Sequence, residues 1–343
     1  PENSAEHSWH VALYALVFGG SDRAIAMILL HDLVEIDCGD HPIHLDHDAA
    51  AVEAAERAAA CRLFGLLPDG ARLLALWQEF EAALTPDARF AKRMDHVQPL
   101  FQVLSAPRPL PGHLRIARDN MTRGRCARLW QEWPEAMAAG QGMLDGTPPP
   151  DGLAGRLAFL AEADRLKSVL RASTLCDGSR RENSAEHSWH LALYALVMAP
   201  VAGPEVDIGR VIRMLILHDL VEIDAGDVPI HALNGAAHHG AAQLAAEEAA
   251  AERLFGLLPQ PLGAELHALW AEFEANETPD AVFAKSLDRA QPVMQNIACG
   301  GGSWIEYRVT YDQLVERVGL RIQRGAPTLW TWLDESARGF FAR

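Results

Sequence analysis

The sequence predicts an all-α protein made of one domain written twice. Long segments recur in the same order in both halves, the apolar runs are too long for typical strands, and Ala/Glu/Leu-rich stretches end at glycine. No stretch reads as a convincing strand. The 343 residues also fit two domains at roughly 100–200 residues each.

The repeat begins at once. ENSAEHSWH spans Glu2–His10 and returns letter for letter at Glu182–His190, and HDLVEIDCGDHPIH at His31–His44 answers HDLVEIDAGDVPIH at His218–His231. RLFGLLP (Arg62–Pro68 and Arg253–Pro259), ALWQEFEA with ALWAEFEA, TPDARFAK with TPDAVFAK, and MDHVQP (Met94–Pro99) with LDRAQP (Leu287–Pro292) follow in register. A unit this long has its own core, unlike a solenoid repeat. Gly140–Gly155, with Pro148–Pro150 and several glycines, reads as a linker that holds no regular structure. The expected division is therefore 1–139 for the first domain, 140–155 for the linker and 156–343 for the second.

Individual elements follow from local chemistry. Ile25–Asp37 (IAMILLHDLVEID) is a Leu/Met/Ala-rich run bounded by Gly39 and predicts one buried helix. Ala49–Phe64 and Ala241–Phe255 are amphipathic and stop at Gly65 and Gly256. Leu157–Leu175 reads as a leading helix of the second copy; the first copy starts with its motif already at Glu2, so either the sequence lacks its natural beginning or that copy has lost the helix. Ser184–Ala199 begins at a candidate Ser cap and places Glu186, His187 and His190 on one side of an apolar helix. The Trp-containing stretches Leu73–Phe80 and Leu266–Phe273 suit core packing, with a surface between the copies as the alternative.

Composition excludes several classes. With 49% hydrophobic, 22% charged and 7% aromatic residues the chain is globular rather than disordered or collagenous. A net charge of −16 argues against broad binding to nucleic acid polymers or anionic membranes, although a local basic pocket is compatible with it. Cys38, Cys61, Cys126, Cys176 and Cys299 are scattered without a CxxC and point to a reducing compartment. No 18-residue apolar run or secretory leader is visible, so the expectation is a soluble cytoplasmic protein.

Polar residues interrupt the apolar run in both copies: His31, Asp32 and Glu35, matched by His218, Asp219 and Glu222. Burying ionisable groups costs several kcal/mol unless they are paired or hold a metal. A His-Asp dipeptide alone can be a cap or a salt bridge, as His47-Asp48 illustrates. With His7 and Asp95, or His187 and Asp288, two imidazoles and two carboxylates would converge from three helices. That is an N/O donor set for Mn, Co, Fe, Ni or Zn. His10 and His190, three residues after His7 and His187, compete for the same role or sit behind the site in the core.

His…HD…Asp with a Glu three residues beyond the HD aspartate resembles the HD-domain metal-dependent phosphohydrolases. The fuller text, ExxxEHS followed by HDxxExxxGDxP, is similar to the branch containing the bacterial 5′-deoxynucleotidases. The resemblance covers nearly all of the second copy and most of the first. It implies metal ligands His7, His31, Asp32 and Asp95, and His187, His218, Asp219 and Asp288, with up to one divalent ion (Mn, Co, Fe, Ni, Zn or Mg) per copy. It gives Glu35 and Glu222 proton transfer around the attacking water. Asp40 and Asp227, in the GD at the helix end, would face the sugar of a nucleotide, or simply cap the loop. Arg171, on an expected helix, would contact the substrate phosphate, with Lys167 as fallback and a solvated helix face as the bland alternative.

The implied activity is phosphate release from nucleoside 5′-monophosphates or similar small phosphomonoesters. A guanosine polyphosphate or a nucleoside triphosphate is an alternative substrate; a cyclic dinucleotide is less attractive, because the HD-GYP signature is missing. A non-catalytic metal-binding interaction protein is the alternative of another class. Because the first copy lacks a counterpart of Arg171 and diverges after Leu104, the second is expected to be the competent site. Isolated domains of this branch tend to pair, which implies an intramolecular pseudo-dimer here.

Overall fold

The computed structural model describes residues 2–40, 48–232 and 240–342. His41–His47, which include the end of the first HDLVEIDCGDHPIH copy, lie outside the described residues. The chain divides into two units, residues 1–162 with 257–259 and residues 163–256 with 260–343. Among the described residues both are helical, and the sheet is one short hairpin. The division thus falls seven residues later than the repeat suggested.

Each unit repeats the same five helices. In the first they are Ser4–Val17, Asp22–Leu30, Ala49–Phe64, Gly70–Ala82 and Pro86–Ser105; in the second Ser184–Val197, Ile208–Leu217, Ala241–Phe255, Leu262–Ala275 and Pro279–Ala298. Leu13, Met27, Trp77, Phe80 and Phe101 are buried in one, and Leu191, Leu215, Trp270, Phe273 and Leu287 in the other, so the Trp-containing stretches serve the core. Thr85 and Thr278 cap the longest helices, with Pro86 and Pro279 at the first turn, where the missing N–H costs nothing. The expected Ser184 cap is instead Asn183, whose side chain accepts from Ala185 and Glu186 while Glu186 reaches back; Asn3 and Glu6 do the same. Ser184 is thereby left for another partner.

Ile25–Asp37 is not one helix. It breaks into Asp22–Leu30, a 3₁₀ turn at His31–Val34 and the short helix Glu35–Cys38. The His31 Nδ1–H donates to the Ile28 carbonyl at 2.6 Å, and His218 to Leu215 at 2.9 Å, carbonyls that a continuous helix would give to Asp32 and Asp219. The imidazole competes with the backbone at the point where the helix stops. Gly39 and Gly226, both at φ 75°, then reverse the chain and present Asp40 and Asp227.

Three further expectations are corrected around the junction. The linker is mostly helix: Pro134–Leu144 runs into it and Asp151–Ala163 begins within it, leaving only 145–150 between. The Asp151–Ala163 helix is tied to the first unit, where the His10 Nε2 meets the Leu160 carbonyl at 3.1 Å and Arg156 donates to the Val17 carbonyl. That helix therefore packs in the first unit although it precedes the second copy's repeated text. Leu157–Leu175 is also not continuous: a 3₁₀ turn at Asp164–Ser168 leads into strand β1, Leu170–Thr174. β1 pairs antiparallel with β2, Arg181–Asn183, through a turn at Asp177-Gly178 with Gly178 at φ 72°.

Candidate metal centre and active-site cleft

Three elements of the second unit bring the cluster together. Helix Ser184–Val197 supplies His187, the end of Ile208–Leu217 supplies His218 and Asp219, and Pro279–Ala298 supplies Asp288. Ligand atoms of His187, His218 and Asp288 all lie within 4.8 Å of one another, and all three residues are buried. The His187 Nε2 is 3.2 Å from Asp288 Oδ1 and 4.0 Å from Asp219 Oδ2, and the His218 Nε2 is 3.0 Å from Asp219 Oδ1. Because His218 spends Nδ1–H on a carbonyl, its Nε2 is aimed at the cluster, buried and without a hydrogen-bond partner. An orphaned imidazole nitrogen facing carboxylates fits a divalent cation, and the all-N/O donor set fits a borderline or hard one.

Arg171 closes the other side. On β1 the burial alternates, so Arg171 and Ser173 point inward, which places the guanidinium by strand periodicity and not, as expected, on a helix. Arg171 Nη1 lies 2.6 Å from Asp219 Oδ2, 3.4 Å from Glu222 Oε1 and 3.9 Å from Asp227 Oδ1. Lys167 instead pairs with Asp164. Burial, then the neighbouring Asp219, push Glu222 well above the usual carboxylate range, against the pull of Arg171. Ser184, freed from capping, donates to Glu222 Oε2 at 2.5 Å. Burial raises Asp288 too, but Arg289 and the two imidazoles overcome it and hold that carboxyl well below its ordinary value.

Behind His187 lies a network the motifs did not single out. Its Nδ1 is 3.1 Å from Gln291 Oε1 and 3.3 Å from Glu182 Oε2, and Glu182 accepts from Gln291 at 2.7 Å and Gln295 at 2.9 Å. Such partners fix the orientation of a ligating imidazole. The signal was present: Glu182 and Gln291 both stand inside repeated text. His190 meets Gln291 at 3.3 Å, and His10 meets Gln98 at 2.9 Å and the Leu160 carbonyl, so both support the core beside the cluster.

The first unit reproduces the cluster but not its setting. His7 Nε2 is 3.2 Å from Asp95 Oδ1 and 4.0 Å from Asp32 Oδ2, and His31 Nε2 is 3.1 Å from Asp32 Oδ1. The His7 side chain is 17% exposed and Glu2 22%, against 0% and 1% for His187 and Glu182. Burial, then Asp32, lift Glu35 to about 7, and Ser4 donates to it. Asp40 is exposed. Among the described residues no Arg or Lys pairs with Asp32, Glu35 or Asp40, whereas Arg171 spans their three counterparts.

In the second unit the cluster opens on a cleft of about 130 Å³ lined by Arg171, Asp227, His231, Asp288, Arg289 and Tyr307 among others. Comparison with known proteins agrees with this geometry. The family model described as HD domain matches residues 1–137 and again 163–330. The chain belongs to the HD-domain family. The HD-domain match falls once on each unit. The 5′-deoxynucleotidase HDDC2 of Mus musculus is 30% identical over 144 residues, 41% of this chain and 68% of that protein. The human 5′-deoxynucleotidase HDDC2 is 29% identical over 146 residues, 42% and 68% of the two chains. Among solved structures, a predicted metal-dependent phosphohydrolase from Magnetospirillum magnetotacticum MS-1 is 45% identical, with a TM-score of 0.51, covering 57% of this chain and all of that one. Among the described residues, no helix is long and apolar enough to cross a membrane.

Proposed function

We propose that this HD-domain chain is a divalent-metal-dependent phosphohydrolase acting on nucleoside 5′-monophosphates or similar small phosphomonoesters, with the second unit as the working site. The observation that carries this reading is the meeting of Arg171 and Glu222 beside His187, His218, Asp219 and Asp288 at the mouth of a cleft. The names of the relatives support the reaction class. The four ligand residues would hold a cation that polarises a phosphoryl oxygen and acidifies water when bound.

The chain's own groups supply the rest. Arg171, buried and presented by a strand, offers a preorganised charge to the phosphate, which displaces it from part of its carboxylate contacts. Glu222, with Oε2 held by Ser184, keeps Oε1 for a proton, and its raised pKa suits it to give that proton to a leaving alkoxide as well as to take one from water. Asp227, half a turn beyond Glu222's helix and at the cleft wall, is placed for a hydroxyl of the sugar. In the first unit His7, His31, Asp32 and Asp95 would be the ligands and Glu35 the base, but among the described residues no Arg or Lys meets Asp32, Glu35 or Asp40 as Arg171 meets their counterparts. We assign it metal binding with poor turnover.

The test is metal analysis followed by phosphate release from a panel of nucleoside monophosphates with Co, Mn or Mg, on the intact chain and on Asp32→Ala and Asp219→Ala. Asp219→Ala should abolish release while Asp32→Ala keeps most of it. Equal losses overturn the assignment of the working site. Absence of release from every substrate, with metal bound, overturns the hydrolase reading.

A further inference from the structure

The first unit holds a cavity that none of its candidate metal ligands lines. It measures about 480 Å³, within the roughly 300–1,000 Å³ of small-molecule sites, and Phe18, Phe90, Arg93, Trp133, Glu135 and Arg156 are among its lining residues. Helix Pro86–Ser105 supplies Phe90 and Arg93, Trp133 stands at the start of Pro134–Leu144, and Asp151–Ala163 supplies Arg156. The rings of Phe18 and Trp133 meet edge to face with centroids 5.0 Å apart. The Arg156 guanidinium lies 5.5 Å from the Phe18 ring centre, and that of Arg93 lies 5.5 Å from Trp133 and 5.4 Å from Phe90. Aromatic rings thus hold both planar cations in place.

Among the described residues neither cation pairs with a carboxylate. Arg93 Nη1 donates to the Glu132 carbonyl at 3.4 Å and Arg156 Nη1 to the Val17 carbonyl, and the Arg93 Nε is buried without a hydrogen-bond partner. A buried donor without a partner is costly, and an acceptor brought to it recovers that cost. Glu135, the carboxylate of the lining, is exposed and leaves two guanidinium groups against one acid in a chain of net charge −16. The repeat did not supply this cavity. In register, Arg93 answers Ser286 and Phe18 answers Met198, while Trp133 stands where the copies diverge. The second unit fills the corresponding place with its own chain: Ser286 Oγ meets the carbonyls of Val282 at 2.7 Å and Arg321 at 3.1 Å, and a Cβ on Gly325 would lie 2.4 Å from that oxygen.

We propose that this cavity is a second ligand site, particular to the first unit, that binds a nucleoside monophosphate. A phosphate, with up to two charges and three terminal oxygens, suits two guanidinium groups that lack a carboxylate. A planar base suits an enclosure of aromatic rings and ring-held guanidinium planes. Because none of His7, His31, Asp32 and Asp95 lines the cavity, binding there needs no metal and entails no turnover. The site goes beyond the phosphohydrolase reading and does not depend on it.

The experiment measures binding in the absence of metal. Adenosine 5′-monophosphate, adenosine and inorganic phosphate are titrated calorimetrically into the intact chain in the presence of a chelator, and into Arg93→Met, Arg93→Lys and Arg156→Met. The nucleotide should bind the unsubstituted chain about tenfold or more tightly than either fragment, because it alone meets both the cations and the rings. Arg93→Met and Arg156→Met should each weaken it by about tenfold or more, and Arg93→Lys, which keeps the charge but loses the fork, should fall between. Nucleotide binding that neither Met substitution weakens overturns the site, as does adenosine or phosphate binding as tightly as the nucleotide, or no binding at all. If Arg93→Met lowers the melting temperature enough to cloud the result, Arg156→Met decides under the same criteria. Phosphate release by the unsubstituted chain with manganese is followed separately. Release without this binding removes the site and keeps the hydrolase; binding without release does the reverse.

Discussion

Replacing Arg171 by Met tests the electrostatic logic of the second site without disturbing its shape, since Met fills similar apolar length and carries no charge. The Arg171 side chain is only 11% exposed, and its Nη1 faces Asp219 at 2.6 Å, Glu222 at 3.4 Å and Asp227 at 3.9 Å. Removing one partner of a buried ion pair costs about 3–5 kcal/mol, because the other is left without compensation. Here the cost should fall at the lower end. Burial and Asp219 already push Glu222 and Asp227 upward, so both can take protons when the cation is lost, and only Asp219 must stay charged. About 3 kcal/mol in a domain of this size lowers the melting temperature by about 6–12 °C. Scanning calorimetry on the metal-free protein reads that shift. Saturating manganese should narrow the gap between variant and wild type, because a bound cation replaces the missing positive charge. A melting temperature within about 2 °C of wild type without metal, or a gap indifferent to metal, would refute this account of Arg171.

Glu222→Gln should lower kcat by about 10²–10⁴-fold in the phosphate-release assay while metal content by elemental analysis stays at the wild-type level, since Glu222 lies outside the ligand cluster. His231→Gln should flatten acid destabilisation. In the native protein this histidine titrates near 4, whereas the unfolded chain takes up its proton near 6.5, so stability is lost as pH falls between those values. The difference is worth up to roughly 3 kcal/mol, and urea unfolding at pH 7 and pH 4.5 of both proteins measures it. Gly226→Ala, at φ 75°, should cost about 1–2 kcal/mol by chemical denaturation and reduce phosphate release by displacing Asp227, whereas Gly339→Ala in the last helix should cost nothing or stabilise slightly.

The residues of the two candidate metal clusters were legible because the chain carries its own comparison: His7, His31, Asp32 and Asp95 stand at the same places in the repeat as His187, His218, Asp219 and Asp288, and in both units those side chains converge. The helical class and the helices Ala49–Phe64 and Ala241–Phe255 were equally readable from composition and glycine stops. The break at His31 and His218 was not, because apolar periodicity runs straight through it and only the imidazole-to-carbonyl bond stops the helix. The hairpin escaped for a different reason. Strands of five and three residues are too short for a period to register, and the Asp177-Gly178 turn was the one local sign. Arg171 was thus assigned to the substrate from resemblance while its presentation, by strand alternation, was missed.

The helix Asp151–Ala163 separates what is duplicated from what folds. Synthesis reaches the end of the first repeat before it reaches that helix, so the nascent first unit waits with the carbonyl partner of His10 still unsynthesised. Its last helix arrives in the same stretch of chain that begins the second repeat. Synthesis of one unit and completion of the other are therefore joined in time, and a fragment cut where the repeat ends, at residue 139, would preserve the first copy's sequence while leaving its fold unfinished.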